Sequence, residues 1–383
     1  MSRRPGAVED RPAGDAPLFS VLCPTYNRSA RLLPTLRSVL AQRLADFELL
    51  VLDDGSTDDT VRVAESTGDP RVRVVRARRT GHPSGPRQQG LALARGRWIA
   101  YLDHDDSWRP DHLDALHQLL DQGAPLAVTG YRAVDEEGRT TRESGWWDLC
   151  WHPELQYLDP LFEPSRFAHR RGLAESVGGW RVTPGLEDWD LLVRLTEAGH
   201  HPRTTTARTV SVFESTATRR HRLAPGHFAP LLHTTDARLA RRVRDALDAP
   251  DTRRLLDAAA RQDSRARIQR LGATPDFVRP LATPEVPESG EIPPESGRGP
   301  EPLIVPRGGG YLLAVPVFLS TPEHAARFDA LLTEHAAAQL ALLRRLESEL
   351  AGESRTRHRE PERPAGEVAV RHEPVAPRRE PAP

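Results

Sequence analysis

The sequence predicts an α/β fold, in which a mostly parallel β-sheet is flanked by helices and followed by a C-terminal helical extension. Three observations support this prediction. From residue 18 onward, short apolar β-prone runs alternate with segments of helical periodicity, as they do in consecutive βαβ units. Polar and acidic residues stand where several of these runs end. Beyond residue 230, alanine, leucine and arginine recur at helical spacing.

The elements of the sheet are expected in the first part of the chain. Strands are predicted at residues 19–23, 47–52, 72–75, 98–102 and 126–130. Helices are predicted at residues 30–42, 86–94 and 111–122, where apolar residues recur every three or four positions. The stretch 132–167 is less regular. It contains Trp146, Trp147 and Trp151. These tryptophans either line an acceptor pocket or pack under a long loop.

Composition divides the chain around this sheet. Residues 1–17 and 351–383 are polar and rich in proline, so we expect both ends to be disordered. Residues 18–230 hold the predicted sheet and form the main domain. A helical extension at 231–273 and a proline- and glycine-rich linker at 274–310 follow it.

Residues 311–350 are expected to form a helical hairpin or a short coiled coil, with a helix that begins near Thr321. The prediction depends on an apolar seam at spacings of three, four or seven positions. The seam consists of Leu332, Ala336, Leu343, Leu346 and Leu350. Three roles are open for it: a homodimer contact, packing against its own chain, or binding of a protein substrate.

Bulk properties exclude some classes of protein. A net charge of -1 and a pI near 7.0 give no reason to expect a nucleic-acid partner. Two cysteines, Cys23 and Cys150, are too few for a disulfide framework and favour a reducing compartment. The N-terminus lacks the apolar core of a signal peptide, and the longest apolar run is far shorter than the roughly 20 residues of a membrane span. We therefore expect a cytoplasmic protein without a membrane span.

Acidic residues follow the strand predicted at 98–102. Asp103, Asp105 and Asp106 stand close together and repel one another unless a cation lies among them. Carboxylate oxygens suit Mn²⁺ or Mg²⁺, which would bridge to a substrate diphosphate. The alternative is a solvated loop that caps the next helix. Tyr26 and Asp54 also follow strand ends, and ligands bind at this edge of open parallel sheets.

A second acidic pair, Glu187-Asp188, opens a predicted helix after Gly179-Trp180. Carboxylates in the first turn of a helix can have the structural role of stabilising the helix dipole. Their spacing alone assigns them no chemistry.

Taken together, these motifs resemble the family 2 glycosyltransferases, which have the GT-A type of Rossmann-like fold. The resemblance covers residues 18–213 and depends on the order of the motifs. In chain order these are Pro24-Thr25-Tyr26-Asn27-Arg28, Asp53-Asp54-Gly55-Ser56-Thr57-Asp58, Arg87 with Gly90, Leu102-Asp103-His104-Asp105-Asp106, Gly179-Trp180 and Glu187-Asp188. The Gln-x-x-Arg-Trp signature of processive synthases is absent from the sequence, so the resemblance implies a non-processive enzyme.

The resemblance implies a site for a nucleotide-sugar donor. Tyr26 would pack on the nucleotide base, with Pro24 and Thr25 shaping the same wall. Asp54 would accept a hydrogen bond from a ring N–H, which favours a UDP- or dTDP-sugar. Arg87 would lie near the diphosphate.

The same resemblance implies a metal site and a general base. Asp103 would contact ribose and metal, Asp105 would be the surer ligand of Mn²⁺ or Mg²⁺, and Asp106 would be structural. Asp188 would take the proton from an acceptor hydroxyl, in a single displacement that inverts the anomeric centre. The resemblance does not identify the acceptor, and a saccharide, a natural product and a peptide side chain are the alternatives. The tryptophan-rich region and Gly179-Trp180 would form the wall that binds it.

Two features depart from the family pattern or stay outside it. The family has Ala-Arg-Asn before the glycine, whereas Gln88 stands here in place of the asparagine, so the loop is expected to sit differently. His221, in an arginine-rich segment, either reaches the diphosphate or is solvated, and it is left out of the site. A rival interpretation is a catalytically idle glycosyltransferase-fold scaffold that recruits a partner through its C-terminal helices.

Overall fold

The computed structural model describes residues 16–183, 186–214, 227–281, 303–307, 310–318 and 321–357. His221, most of the predicted linker and most of both predicted disordered ends lie outside the described residues. Residues 351–357, which were predicted to be disordered, are helical, so the prediction is wrong for them. Within the described residues, a mixed sheet flanked by helices is followed by further C-terminal helices, so the predicted α/β fold is confirmed.

The main sheet of the described residues contains nine strands. They are β1 (Phe19–Thr25), β2 (Phe47–Asp53), β3 (Val72–Arg76), β4 (Trp98–Tyr101), β5 (Ser107–Trp108), β6 (Leu126–Val134), β7 (Thr140–Glu143), β8 (Phe167–Arg170) and β9 (Pro202–Phe213). Their order is β3-β2-β1-β4-β8-β6-β9-β5, with β7 paired to β6. Strands β3, β2, β1 and β4 are parallel, whereas β8 runs antiparallel to both of its neighbours.

Helices cover both faces of this sheet. They are α1 (Ser29–Leu40), α2 (Thr60–Glu65), α3 (Ser84–Leu93), α4 (His112–Asp121), α5 (Pro153–Leu158), α6 (Leu173–Ser176) and α7 (Glu187–Glu197). The period-two alternation of each strand divides the core between the faces. In β1, Phe19 and Val21 join the cluster that contains Leu36 of α1, whereas Leu22 joins the one that contains Leu191 of α7.

A C-terminal module packs against this domain; it comprises residues 227–281, 303–307, 310–318 and 321–357. Its three-stranded antiparallel sheet has the order β10-β12-β11, with β10 (His227–Thr234), β11 (Leu303–Arg307) and β12 (Gly310–Val317). Its helices are α8 (Ala237–Asp248), α9 (Pro250–Leu271), α10 (Pro322–His335) and α11 (Ala337–Arg357).

The strands of the C-terminal module correct three predictions. Residues 303–307 are a strand and not part of a linker, the segment 311–350 begins with a strand, and the extension at 231–273 begins inside β10. Strand β10 pairs with β12 across a long sequence separation, which local composition does not reveal, whereas β11 and β12 form a local hairpin. The predicted helix start is confirmed, because Thr321 caps α10 and its Oγ1 accepts a hydrogen bond from His324 N at 3.2 Å.

The apolar seam of the C-terminal helices packs within the chain. Leu343 is buried in a cluster with Val243 and Leu247 of α8, and Leu346 and Leu350 pack against the same cluster. The structure thus favours the second of the three roles, and a homodimer stays a prediction. None of the helices in the described ranges is long and apolar enough to cross a membrane.

Candidate active site

A cleft of about 740 Å³ lies at the carboxyl ends of β1, β2 and β4. Parallel register brings these ends together, because Thr25 pairs with Asp53 and Leu22 pairs with Tyr101. The lining of the cleft includes all eight residues that the sequence assigned to a site. These are Pro24, Thr25, Tyr26, Asp54, Arg87, Asp103, Asp105 and Asp188.

Tyr26 and Thr25 form one wall of the cleft. The guanidinium carbon of Arg79 lies 3.4 Å from the centroid of the Tyr26 ring, at the spacing of a cation–π contact. Among the described residues, Thr25 Oγ1 is buried and has no hydrogen-bond partner. A flat ligand with polar edges would meet both an aromatic face and an unsatisfied hydroxyl here.

Asp54 organises the loop that carries Arg79. Its Oδ1 accepts hydrogen bonds from Thr80 N at 2.7 Å and Thr80 Oγ1 at 2.8 Å, and its Oδ2 accepts one from Gly81 N at 2.8 Å. The carboxylate is nearly buried. The sequence assigned Asp54 to the base, and the structure gives it the further task of shaping the loop beside Tyr26.

Arg87 contacts the chain's own acids. Its Nη1 donates to Glu187 Oε1 at 2.9 Å, its Nη2 donates to Asp103 Oδ1 at 2.6 Å, and its guanidinium lies over the Trp180 ring. The side chain is 3% exposed. Burial alone would lower the pKa of Arg87, but the two carboxylates raise it above its ordinary value. This neutralised, buried cation differs from the diphosphate contact that the resemblance implies, and it ties the end of β4 to the start of α7.

Asp103 and Asp105 provide carboxylate oxygens in the cleft. Asp103 N donates to Ser165 Oγ at 3.0 Å, which fixes the main chain after β4. The Asp105 carboxylate accepts no hydrogen bond from the described part of the chain. Its Oδ2 lies 3.8 Å from His104 Nε2, and its side chain is 20% exposed. Within that part, no group of three or more His, Cys, Asp or Glu side chains is arranged to hold a metal ion. Two carboxylates that share a metal with substrate phosphates and water fit Mg²⁺ or Mn²⁺.

Asp106 has a structural place in the same loop. Its Oδ2 accepts a hydrogen bond from Ser165 Oγ at 2.5 Å, and its Oδ1 accepts one from Phe213 N at 2.8 Å. Burial, together with the charges of Asp103 and Asp105, raises the pKa of Asp106 well above its ordinary value. The residue joins the acidic loop to the end of β9.

The lining of the cleft also includes Arg28, Arg79 and His104, which were not assigned to the site from the sequence. His104 Nδ1 lies 3.1 Å from Pro24 O, and since a carbonyl only accepts, Nδ1 carries the proton. His104 Nε2 therefore accepts from Arg28 Nε at 2.7 Å. Arg28 and Arg79 form no ion pair within the described residues, which leaves them as the cations open to an anionic ligand. Arg28 and His104 lie inside quoted motifs, whereas Arg79 had no local signal.

Asp188 lies in the first turn of α7 and lines the cleft. Its Oδ1 accepts a hydrogen bond from Trp189 N at 2.9 Å, and the residue is 6% exposed. The first turn of a helix stabilises a carboxylate through its unpaired N–H groups and the helix dipole. Helix α7 therefore places a carboxylate on the lining of the cleft.

Gln88 explains how the unusual loop is accommodated. Its Oε1 accepts a hydrogen bond from Trp180 N at 2.8 Å. Gly179 has a φ of +67°, and a Cβ built on it would lie 2.1 Å from that same oxygen. The longer amide thus secures the Gly-Trp turn, whose tryptophan stacks on Arg87.

The tryptophan-rich region packs and does not reach the cleft. Trp151 is 1% exposed in the core, and Trp146 and Trp147 contact each other edge to face. Neither these three rings nor Gly179 and Trp180 line the cleft in the described structure, so the expected acceptor wall is not formed by them. Cys23 and Cys150 are free and buried, and burial raises the pKa of both thiols.

Comparison with known proteins identifies the domain that bears this cleft. Residues 20–177 match glycosyl transferase family 2, so the chain carries a domain of this family and the resemblance is confirmed. The chain is 38% identical over 131 residues to the succinoglycan biosynthesis protein ExoO of Rhizobium meliloti (strain 1021), which is 34% of this chain and 38% of that protein. It is 28% identical over 208 residues to the chondroitin synthase of Escherichia coli, which is 51% of this chain and 29% of that one.

The chain thus spans well under half the length of these two relatives. Among solved structures, the crystal structure of S. aureus TarS 1-349 in complex with UDP-GlcNAc is similar, with a TM-score of 0.46 and 19% identity over 61% of this chain and 67% of that chain. This likeness is weak, and the fold assignment rests on the sheet itself.

Proposed function

We propose that the protein is an inverting, non-processive glycosyltransferase that moves a sugar from a UDP- or dTDP-sugar to an acceptor hydroxyl. The observation that carries this proposal is the convergence of three unlike groups in one cleft. These are an aromatic wall at Tyr26, two carboxylates at Asp103 and Asp105, and a helix-borne carboxylate at Asp188. The first two of these groups lie within residues 20–177, which match family 2.

The donor is held at the strand ends. Its base stacks on Tyr26, with Thr25 Oγ1 and Asp54 offering polar contacts at the base edge. Arg79 covers the ring and shifts to admit the base, which brings a cation toward the diphosphate. Arg28, positioned by His104, supplies a second cation to the same diphosphate.

Asp188 acts as the general base. It removes the proton of the acceptor hydroxyl while that oxygen attacks the anomeric carbon, and the bond to the nucleoside diphosphate breaks on the opposite face. Arg87 does not touch the reacting atoms. It neutralises Glu187 and Asp103, which would otherwise be two unpaired negative charges near Asp188.

A divalent cation completes the donor site in this proposal. Asp105 and Asp103 would hold Mn²⁺ or Mg²⁺, and the ion supplies charge neutralisation to the departing diphosphate. The Asp105 carboxylate suits this role because it makes no hydrogen bond within the described residues.

A thermal-shift screen of nucleotide sugars tests the donor assignment. With Mn²⁺ present, we expect one uridine or thymidine sugar to raise the melting temperature more than adenosine or guanosine sugars do, since binding to the native state alone stabilises it. Chelation of the metal should reduce that rise. Equal shifts for all nucleotides would contradict the proposal.

The same screen separates the proposal from the scaffold alternative. A catalytically idle fold has no need for a metal-linked donor site, so its melting temperature would not respond to a UDP-sugar with Mn²⁺. The presence of acids at every expected position speaks against that alternative.

A further inference from the structure

Helix α7, which carries the proposed base, is buried on every side. All residues from 187 to 196 are buried. Toward the main sheet, Leu191, Leu192 and Leu195 join the core cluster beneath the sheet. A helix at the edge of a domain normally leaves one face in water, so another element must cover the remaining face.

The C-terminal module covers that face. Leu186, Trp189 and Val193 follow one another at spacings of three and four, and they form a cluster with Val317 of β12 and Phe328 of α10. The rings of Trp189 and Phe328 meet edge to face at a centroid distance of 6.3 Å, and each residue is 4% exposed. This contact lies one residue from Asp188.

The module also fixes the point at which the chain enters α7. Leu186 is the N-cap residue of the helix, and its side chain makes no capping bond. Its N–H donates to the main-chain oxygen of Phe318, just after β12, at 3.2 Å. The position of Leu186 relative to the module therefore sets the orientation of the first helical turn.

A third contact holds the other end of the helix. Glu197 accepts hydrogen bonds from Tyr157 Oη at 2.5 Å and from His324 Nε2 of α10 at 3.1 Å. His324 is 6% exposed. Start, middle and end of α7 are thus each held by the module.

We propose that the C-terminal module positions Asp188 for catalysis, with Phe328 as the principal positioning residue. This inference rests on the proposed role of Asp188 as general base. The donor wall belongs to β1, β2 and β4 of the main sheet, whereas the base belongs to a helix that the module holds. Loosening the module therefore displaces the base more than the donor wall, which is joined to α7 through the contacts of Arg87 with Glu187 and Asp103.

The substitution Phe328→Ala tests this division. Because misplacement of a catalytic group by about 1 Å costs roughly 100-fold, we expect kcat to fall by at least about tenfold. The KM for the donor and the Kd for UDP with Mn²⁺ should stay within about twofold of the wild type. Phe328→Leu, which restores an apolar contact with Trp189, should recover most of the lost kcat.

Leu343→Ala is the matched control. Leu343 is a buried apolar residue of the same module, 3% exposed, but it packs on α8 and not on α7. We expect the kcat of Leu343→Ala to stay within about twofold of the wild type, even if its melting temperature falls as far as that of Phe328→Ala. Equal losses of kcat in both variants, or a loss of UDP affinity in Phe328→Ala, would overturn the inference.

Hydrogen exchange gives a second readout that needs no activity. Amides of residues 186–197 should exchange faster in Phe328→Ala than in the wild type, and should be unchanged in Leu343→Ala. Unchanged exchange in Phe328→Ala overturns the inference even if the wild type transfers sugar. Conversely, a wild type without transfer refutes the proposed function while exchange still tests the module. If Phe328→Ala does not fold, His324→Gln, which removes the contact of α10 with Glu197, is judged by the same readouts.

Discussion

Arg87 shows how a single residue acquires a role that its motif does not specify. Its guanidinium lies between Asp103, at the end of β4, and Glu187, at the start of α7. Both acids would otherwise repel Asp188 and each other. The arginine therefore joins the metal side of the cleft to the base side.

The substitution Arg87→Met tests this structural role. It keeps the length and apolar stem of the side chain but leaves Glu187, whose side chain is 6% exposed, without its cation. Removing one partner of a buried pair costs about 3–5 kcal/mol, so the free energy of unfolding in urea should fall by that order. The matched control is Arg62→Met, which breaks an exposed pair with Asp59 and should leave the unfolding midpoint unchanged.

A small change in stability for Arg87→Met, combined with a large loss of UDP affinity, would instead identify Arg87 as a direct diphosphate contact. The two outcomes separate the role in the structure from the one that the resemblance implies.

At the scale of elements, the parallel half of the sheet was readable from local pattern. Strands β1, β2, β3 and β4 lie within two residues of their predicted ranges, and the ligand edge follows from their direction. Strands β5, β7, β8 and β9 were not predicted. Strand β7 lies inside the irregular stretch, whereas β5, β8 and β9 pair with strands distant in sequence. In the C-terminal module, β10 also pairs with a strand distant in sequence, whereas β11 and β12 form a local hairpin that was not predicted.

The candidate site divides in the same way. Residues that stand in motifs at strand ends were found, and the structure brings all of them to one cleft. The contacts that organise these residues were not predicted. His104 and Arg28 are 76 positions apart in the sequence, and Arg87 and Glu187 are 100 positions apart. Such contacts depend on the packing of whole elements.

The turn between α6 and α7 offers a test at the scale of elements. Gly179→Ala should destabilise the protein by about 1–3 kcal/mol or more, because the residue has a φ of +67° and its Cβ would collide with Gln88 Oε1. Gly172→Ala is the matched control. That glycine also has a positive φ, of +88°, but nothing lies within 4 Å of its built Cβ.

The difference between the two losses in urea unfolding measures the collision alone. If Gly179→Ala does not lower the free energy of unfolding more than Gly172→Ala does, the described contact between Gln88 and the Gly179-Trp180 turn is contradicted. The double variant Gly179→Ala with Gln88→Ala should recover part of the difference, since it removes the colliding amide.

At the scale of the whole molecule, two buried histidines predict how stability depends on pH. Burial lowers the pKa of His112 to about 3 and that of His169 to about 4. His169 is also held neutral, since Nδ1 donates to Arg170 O and Nε2 accepts from Tyr101 Oη.

In the unfolded chain both histidines regain a pKa near 6.5, so below about pH 6.5 the unfolded state binds protons that the native state does not. The free energy of unfolding should therefore be fully present above that pH and fall progressively toward pH 4. Urea unfolding at several pH values should show a shallower fall for His169→Gln than for the wild type. The exposed His233→Gln should not differ, and identical slopes for all three proteins would contradict the assignment.

The central claim is that one cleft holds a metal-linked donor site at Asp105 and a separate base at Asp188. The most direct measurement is calorimetric titration of UDP, with and without Mn²⁺, into Asp105→Asn and Asp188→Asn, together with the transfer rate of each. We predict that Asp105→Asn abolishes the gain in UDP affinity that Mn²⁺ gives. Asp188→Asn should keep that gain and lose transfer by about 100-fold or more, the lower range for removal of a general base. Transfer that survives both substitutions, or a loss of metal-linked UDP binding in Asp188→Asn, would contradict it.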